Sequence, residues 1–99
     1  MFVLELTYTA PAERVDAVRA AHMSWVDDHY ADGLFLASGR KGTRDGGVVL
    51  AAGDDRARID AVVASDPFVL AGVCAYRITH TAVTRTVPGL EPLRGESAG

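Results

Sequence analysis

Apolar residues hold every second position from Phe2 through Leu4 and Leu6 to Tyr8, then recur every third or fourth position through Val15, Val18, Trp25 and Val26, with His22 and His29 on the same stripe. The first spacing is that of a strand with one strongly apolar face, and the second is that of one helical face. Pro11 suits the first turn of that helix and Gly33 its end. The change of period then repeats. Leu34 to Gly39 is a nearly continuous apolar run, expected of a strand covered by a helix, and the polar segment from Arg40 to Gly46 turns the chain into a second strand, Gly47 to Ala52. Asp54 or Asp55 can cap a short helix that points Ile59, Val62 and Val63 inward and stops at Pro67, and Val73 to Val83 reads as a long final strand. The order strand, helix, strand, strand, helix, strand divides into two βαβ-like halves. With right-handed crossovers it gives an α+β, ferredoxin-like βαββαβ fold: a four-stranded antiparallel sheet with two helices on one face.

At 99 residues the chain is one domain's worth of polypeptide. Residues 1–84 are expected to form the domain, and residues 85–99, rich in Pro, Gly and charge, a C-terminal tail in which Val87, Leu90 and Leu93 are available to dock on a neighbour. The sheet face turned away from the helices needs cover, and a domain this small has a poor ratio of buried to exposed surface, so a homodimer packed sheet against sheet is expected. A formal net charge of -3 leaves no basic surplus for a phosphate backbone and excludes a nucleic-acid partner. Cys74 is the only cysteine, so neither an intramolecular disulfide nor a cysteine-rich zinc site can form. The start, Met1-Phe2-Val3-Leu4-Glu5, lacks the basic and apolar regions of a signal peptide, and no window approaches the roughly 18 apolar residues of a membrane span. The expectation is a cytoplasmic protein with no membrane partner.

His22 poses the chemical question. It lies near the middle of the helical stripe, where burying an imidazole without a partner costs roughly 1–3 kcal/mol. Either a hydrogen bond satisfies it or the surrounding pocket opens to a ligand. His29, one heptad on, suits the helix C-terminus, where an imidazolium favours the dipole. Asp66, followed by Pro67, is held in extended or turn geometry and by itself reads as a side-chain turn. In this topology, however, a helix-1 residue facing the sheet and a residue at the far end of helix 2 can approach each other. An imidazole oriented by a carboxylate is the minimum equipment for general acid-base catalysis. On the final strand Cys74, Tyr76, Ile78 and Ala82 share one face and Arg77, Thr79 and Thr81 the other, which suggests a structural Arg77–Glu5 pair with the first strand. Cys74 reads as a small buried hydrophobe.

The motifs Arg19-Ala20-Ala21-His22, Gly33-Leu34-Phe35-Leu36-Ala37-Ser38-Gly39 and Asp66-Pro67-Phe68-Val69-Leu70-Ala71-Gly72-Val73 together resemble the YciI-like (YCII-related) family, in register from about Met1 to Val83. The resemblance implies a dimeric α+β barrel, related to muconolactone isomerase-like proteins, with an active site built around a histidine and an aspartate that map onto His22 and Asp66. Arg40 departs from the family pattern, in which proline often follows the Ser-Gly pair, and leaves the shape and charge of that pocket edge open. Around the pair, Arg19 either anchors an anionic substrate or meets a surface acid. Ser38 and Gly39 either offer a hydroxyl and a close backbone approach to a ligand or simply shape a hairpin. Trp25 and Phe68 either line an apolar cavity or belong to the core.

Two functions follow. One is a small cofactor-independent enzyme of lyase or isomerase type, in which His22 and Asp66 perform acid-base chemistry on a small organic molecule. The alternative is a non-catalytic metabolite-binding or regulatory dimer using the same pocket. No CxxC, HExxH, P-loop or GxGxxG pattern occurs, so neither a metal site nor a nucleotide cofactor is expected.

Overall fold

The computed structural model describes residues 1–94. Strand β1 (Phe2–Tyr8) lies inside a four-stranded antiparallel sheet of order β2-β3-β1-β4, with β2 at Phe35–Arg40, β3 at Gly46–Ala51 and β4 at Cys74–His80. It is flanked on both sides, consistent with its having the most apolar face: Phe2 and Leu4 are completely buried. That face carries helices α1 (Ala12–Asp16), α2 (Arg19–Ala31), α3 (Arg56–Ala64) and α4 (Pro67–Leu70). Phe2, Leu4, Phe35 and Ala51 pack with Trp25 and Val26 of α2 and Ile59 and Val63 of α3, while Leu6 forms a second cluster with Val15, Phe68 and Val73. This is the α+β, ferredoxin-like arrangement that the changes of period require. Among the described residues no helix is long and apolar enough to cross a membrane.

The first expected helix is in fact two, and a further short helix follows the second. The first breaks at Ala17 and Val18, where the turn tightens to a 3.1 Å bond from Val18 N–H to the Val15 carbonyl. The break serves packing, since Val15 belongs to the Leu6 cluster and Trp25 and Val26 to the Phe2 cluster. Pro67 does not simply end the second helix. Helix α3 closes at Ala64, and Pro67 opens α4 at a first-turn position where it has no N–H to leave unpaired, with Asp66 as the N-cap. Asp55 caps α3, accepting from the Arg58 N–H at 3.1 Å. Gly33 follows α2 with a φ of 84°, the left-handed conformation that ends helices cheaply only at glycine.

The final strand stops at His80 instead of Val83, after which the chain runs without regular structure to a short 3-10 turn at Glu91–Arg94. Val87 and Leu90 are exposed there, and residues 95–99 of the expected tail lie outside the described residues. On the face away from the helices Glu5 stands opposite Arg77 in register, yet its ion pair is with Lys41, at 3.2 Å. Lys41, just beyond β2, reaches over the same face to Thr7 as well, at 2.9 Å, which takes the place of the expected Arg77 contact.

Candidate active site

A cleft of about 240 Å³ opens between α2 and the sheet, lined from α2 by Arg19, His22 and Met23, from β1 by Tyr8, from α4 by Phe68 and from β4 by Tyr76. Its remaining wall is the β2–β3 hairpin, where Gly46 and Gly47 present no side chains. Neither glycine has an alternative. A Cβ on Gly46 would sit 1.8 Å from the Leu6 carbonyl oxygen, and one on Gly47 would sit 2.9 Å from that of Gly39.

A bulge in β2 decides which side chains of this strand enter the cleft. Phe35 pairs with Ala51, but the register slips between Phe35 and Ala37, so Ser38 comes opposite Val49 and Arg40 opposite Gly47. Ala51, Val49 and Gly47 stand opposite Phe2, Leu4 and Leu6, on the helix side of the sheet. One extra residue reverses the alternation and turns Ser38 and Arg40 inward, where both line the cleft with Gly39.

His22 and Asp66 meet on the cleft wall. Nδ1 of His22 lies 2.8 Å from Oδ1 of Asp66, whose side chain is fully buried and which has three donors around it. The N–H of Phe68 donates to Oδ1 at 2.9 Å and the hydroxyl of Tyr76 to Oδ2 at 2.5 Å. With Asp66 accepting throughout, the imidazole proton belongs on Nδ1, which leaves the Nε2 lone pair free. The Phe68 ring stacks on the imidazole, with centroids 4.0 Å apart and planes 12° apart, and fixes its tilt. Burial, and then the hydrogen bond to Asp66, push the Tyr76 phenol above its ordinary range, so it serves as a donor. Burial with the nearby Asp66 charge likewise pushes the Cys74 thiol up to about 12. A thiol held protonated is a poor nucleophile.

The other sequence candidates divide. Arg19 lines the cleft but already pairs with Asp16 at 2.9 Å and reaches the Tyr8 hydroxyl at 3.5 Å; these hydrogen bonds, Tyr8 first, hold its guanidinium charge still more firmly. Ser38 shares a 2.6 Å hydrogen bond with Tyr30. Trp25 is a core residue: it is 8% exposed, meets Phe35 edge to face and donates its indole N–H to Ser65 Oγ at 2.9 Å. His29 stays at the end of α2, 2.9 Å from Asp32. Tyr76 and Tyr8 were not among the candidates. The signal available for Tyr76 was its place on the Cys74 and Ile78 face of the final strand, which by itself describes a core tyrosine. Among the described residues no three His, Cys, Asp or Glu side chains gather as a metal site would need.

Comparison with known families matches the YCII-related domain to residues 1–82. Comparison with curated proteins finds no match. Among solved structures, 5-chloro-2-hydroxyhydroquinone dehydrochlorinase from Burkholderia phenoliruptrix, in complex with 2,5-dihydroxybenzoquinone, superimposes with a TM-score of 0.64 at 20% identity, covering 82% of this chain and 93% of that one. At that identity the likeness is one of fold.

Proposed function

Since the chain belongs to the YCII-related domain family, we propose that it is a small cofactor-independent enzyme of lyase or isomerase type, with His22 as the acid-base group and Asp66 as its orienting partner. The observation that carries this reading is the 2.8 Å His22–Asp66 contact on a cleft wall, with Asp66 sealed from solvent. A carboxylate on Nδ1 fixes the tautomer and strengthens Nε2 as a base. Nε2 takes a proton from an acidic C–H or O–H of the substrate. In an isomerisation the resulting imidazolium returns that proton to another carbon; in an elimination the released electron pair expels a leaving group, and the proton passes to solvent. Phe68 and Met23 give the cleft an apolar lining suited to a small ring. The structurally similar dehydrochlorinase, solved in complex with 2,5-dihydroxybenzoquinone, supports oxygenated or chlorinated rings as the first substrates to screen.

The working unit in this reading is a cytoplasmic homodimer of domains spanning residues 1–84, packed by the sheet faces that carry Val3, Val48 and Leu50. All three are only half-buried in the single chain. Sedimentation equilibrium should then give twice the 10.5 kDa of one chain. The functional test is a turnover screen against lactones and hydroxylated or chlorinated aromatics with the native protein, His22→Ala and Asp66→Ala. Activity that falls by about 100-fold or more in His22→Ala supports the proposal, and unchanged turnover in both variants refutes it.

A further inference from the structure

The cleft carries charge of one sign only. Among the described residues, Arg19 and Arg40 are the charged side chains on its lining apart from His22, and no Asp or Glu lines it, although the chain as a whole has a net charge of -3. Asp66 lies behind His22 with no exposed surface, and all its neighbouring donors are engaged with it. Arg19 is partly committed to Asp16 and Tyr8. Arg40 differs: it is exposed at the rim and, among the described residues, makes no ion pair or hydrogen bond. The β2 bulge is what turns it inward, opposite Gly47, whose missing side chain leaves the hairpin wall open beside it. A straight strand would send Arg40 to the other face of the sheet.

We infer that the cleft binds a small organic anion, a single ring bearing a carboxylate or an ionised ring oxygen, and that Arg40 is the residue that selects for that charge. A guanidinium presents paired N–H donors matched to the two oxygens of a carboxylate and able to hold a single ionised ring oxygen, and a cleft whose described lining carries cations alone concentrates anions against the sign of the whole molecule. The 240 Å³ of space suits one substituted ring. The inference rests on the reading of this cleft as the substrate site, but it concerns binding and not turnover.

Benzoate and its neutral analogue benzamide provide the test, titrated into the full-length protein with amide and imidazole NMR signals as the readout. Benzoate should shift the signals of His22 and Ser38 and bind about tenfold tighter than benzamide, with affinity falling as salt is raised. Arg40→Gln should abolish the preference, whereas Arg14→Gln, which removes the same charge from the exposed surface of α1, should preserve it. Equal affinity for the two probes, no benzoate binding in the cleft, or equal losses in both variants would overturn the inference. Arg40→Gln keeps His22 and Asp66 intact, so a charge-blind cleft in a protein that still needs His22 for turnover would sink this inference and leave the proposed chemistry standing.

Discussion

The hydroxyl of Tyr76 donates to Oδ2 of Asp66 at 2.5 Å, on the oxygen opposite the one that meets His22. Asp66 is thereby held at both ends, from β4 and from α2, while Phe68 N–H closes the helix cap on the same carboxylate. One buried side chain joins the local turn, the sheet and the imidazole.

Tyr76→Phe removes that bond and nothing else of comparable size. It should lower unfolding stability by about 1.5–3 kcal/mol, the usual net worth of a hydrogen bond to a charged partner, measured by urea denaturation. It should also move the His22 Nδ1–H proton resonance as the carboxylate loses one of its fixed partners. Unchanged stability and an unmoved resonance would show that the Tyr76 contact is not formed in solution.

Alkaline pH should weaken the fold. The Tyr76 phenol is raised by burial from its ordinary 10.0, and the Cys74 thiol from 9.0 to about 12. A raised value in the folded state means that the unfolded chain ionises first, so stability is complete below about pH 9 and declines above it. Denaturation midpoints from pH 8 to 11 should fall, and the decline should be shallower in Tyr76→Phe. Cys74 should also react slowly with iodoacetamide at pH 8 until the protein is unfolded.

Gly46→Ala should be among the most damaging small substitutions, because its Cβ would stand 1.8 Å from the Leu6 carbonyl oxygen and the β1–β3 ladder must move to admit it. A loss of about 3 kcal/mol or more is expected. Gly39→Ala, which meets nothing within 4 Å, should be tolerated. Thermal melts of the two variants make the comparison.

Trp25→Phe separates core from site. It removes the indole bond to Ser65 and some buried ring, and should cost about 1–2 kcal/mol in stability. Substrate turnover should stay near the native value, because the indole lies in the core beside Phe35. A selective loss of turnover at full stability would place Trp25 in the cleft after all.

The fold was legible because spacing carries it: alternation in β1 and three- and four-residue recurrence in α2 each assign a burial face without tertiary information. His22 stood out as a polar residue on an apolar stripe, and Asp66 as a carboxylate before proline. What remained hidden depended on contacts between distant elements. Tyr76 alternates like any core residue, and only the packing of β4 beside α4 shows that its hydroxyl meets Asp66. The inward turn of Arg40 depends on a single bulge at Leu36, invisible in a run of apolar and small residues. Trp25 shares the stripe of His22, but a stripe wide enough to touch both the core and a cleft does not say which residue faces which.

In the proposed chemistry Asp66 holds His22 with its proton on Nδ1, so that Nε2 carries the lone pair that acts as the base. Nitrogen-15 NMR of the imidazole in its neutral form measures this directly. The native protein should show a protonated Nδ1 and a bare Nε2, with that preference lost in Asp66→Ala. A neutral imidazole protonated on Nε2, or a tautomer balance indifferent to Asp66, would contradict it.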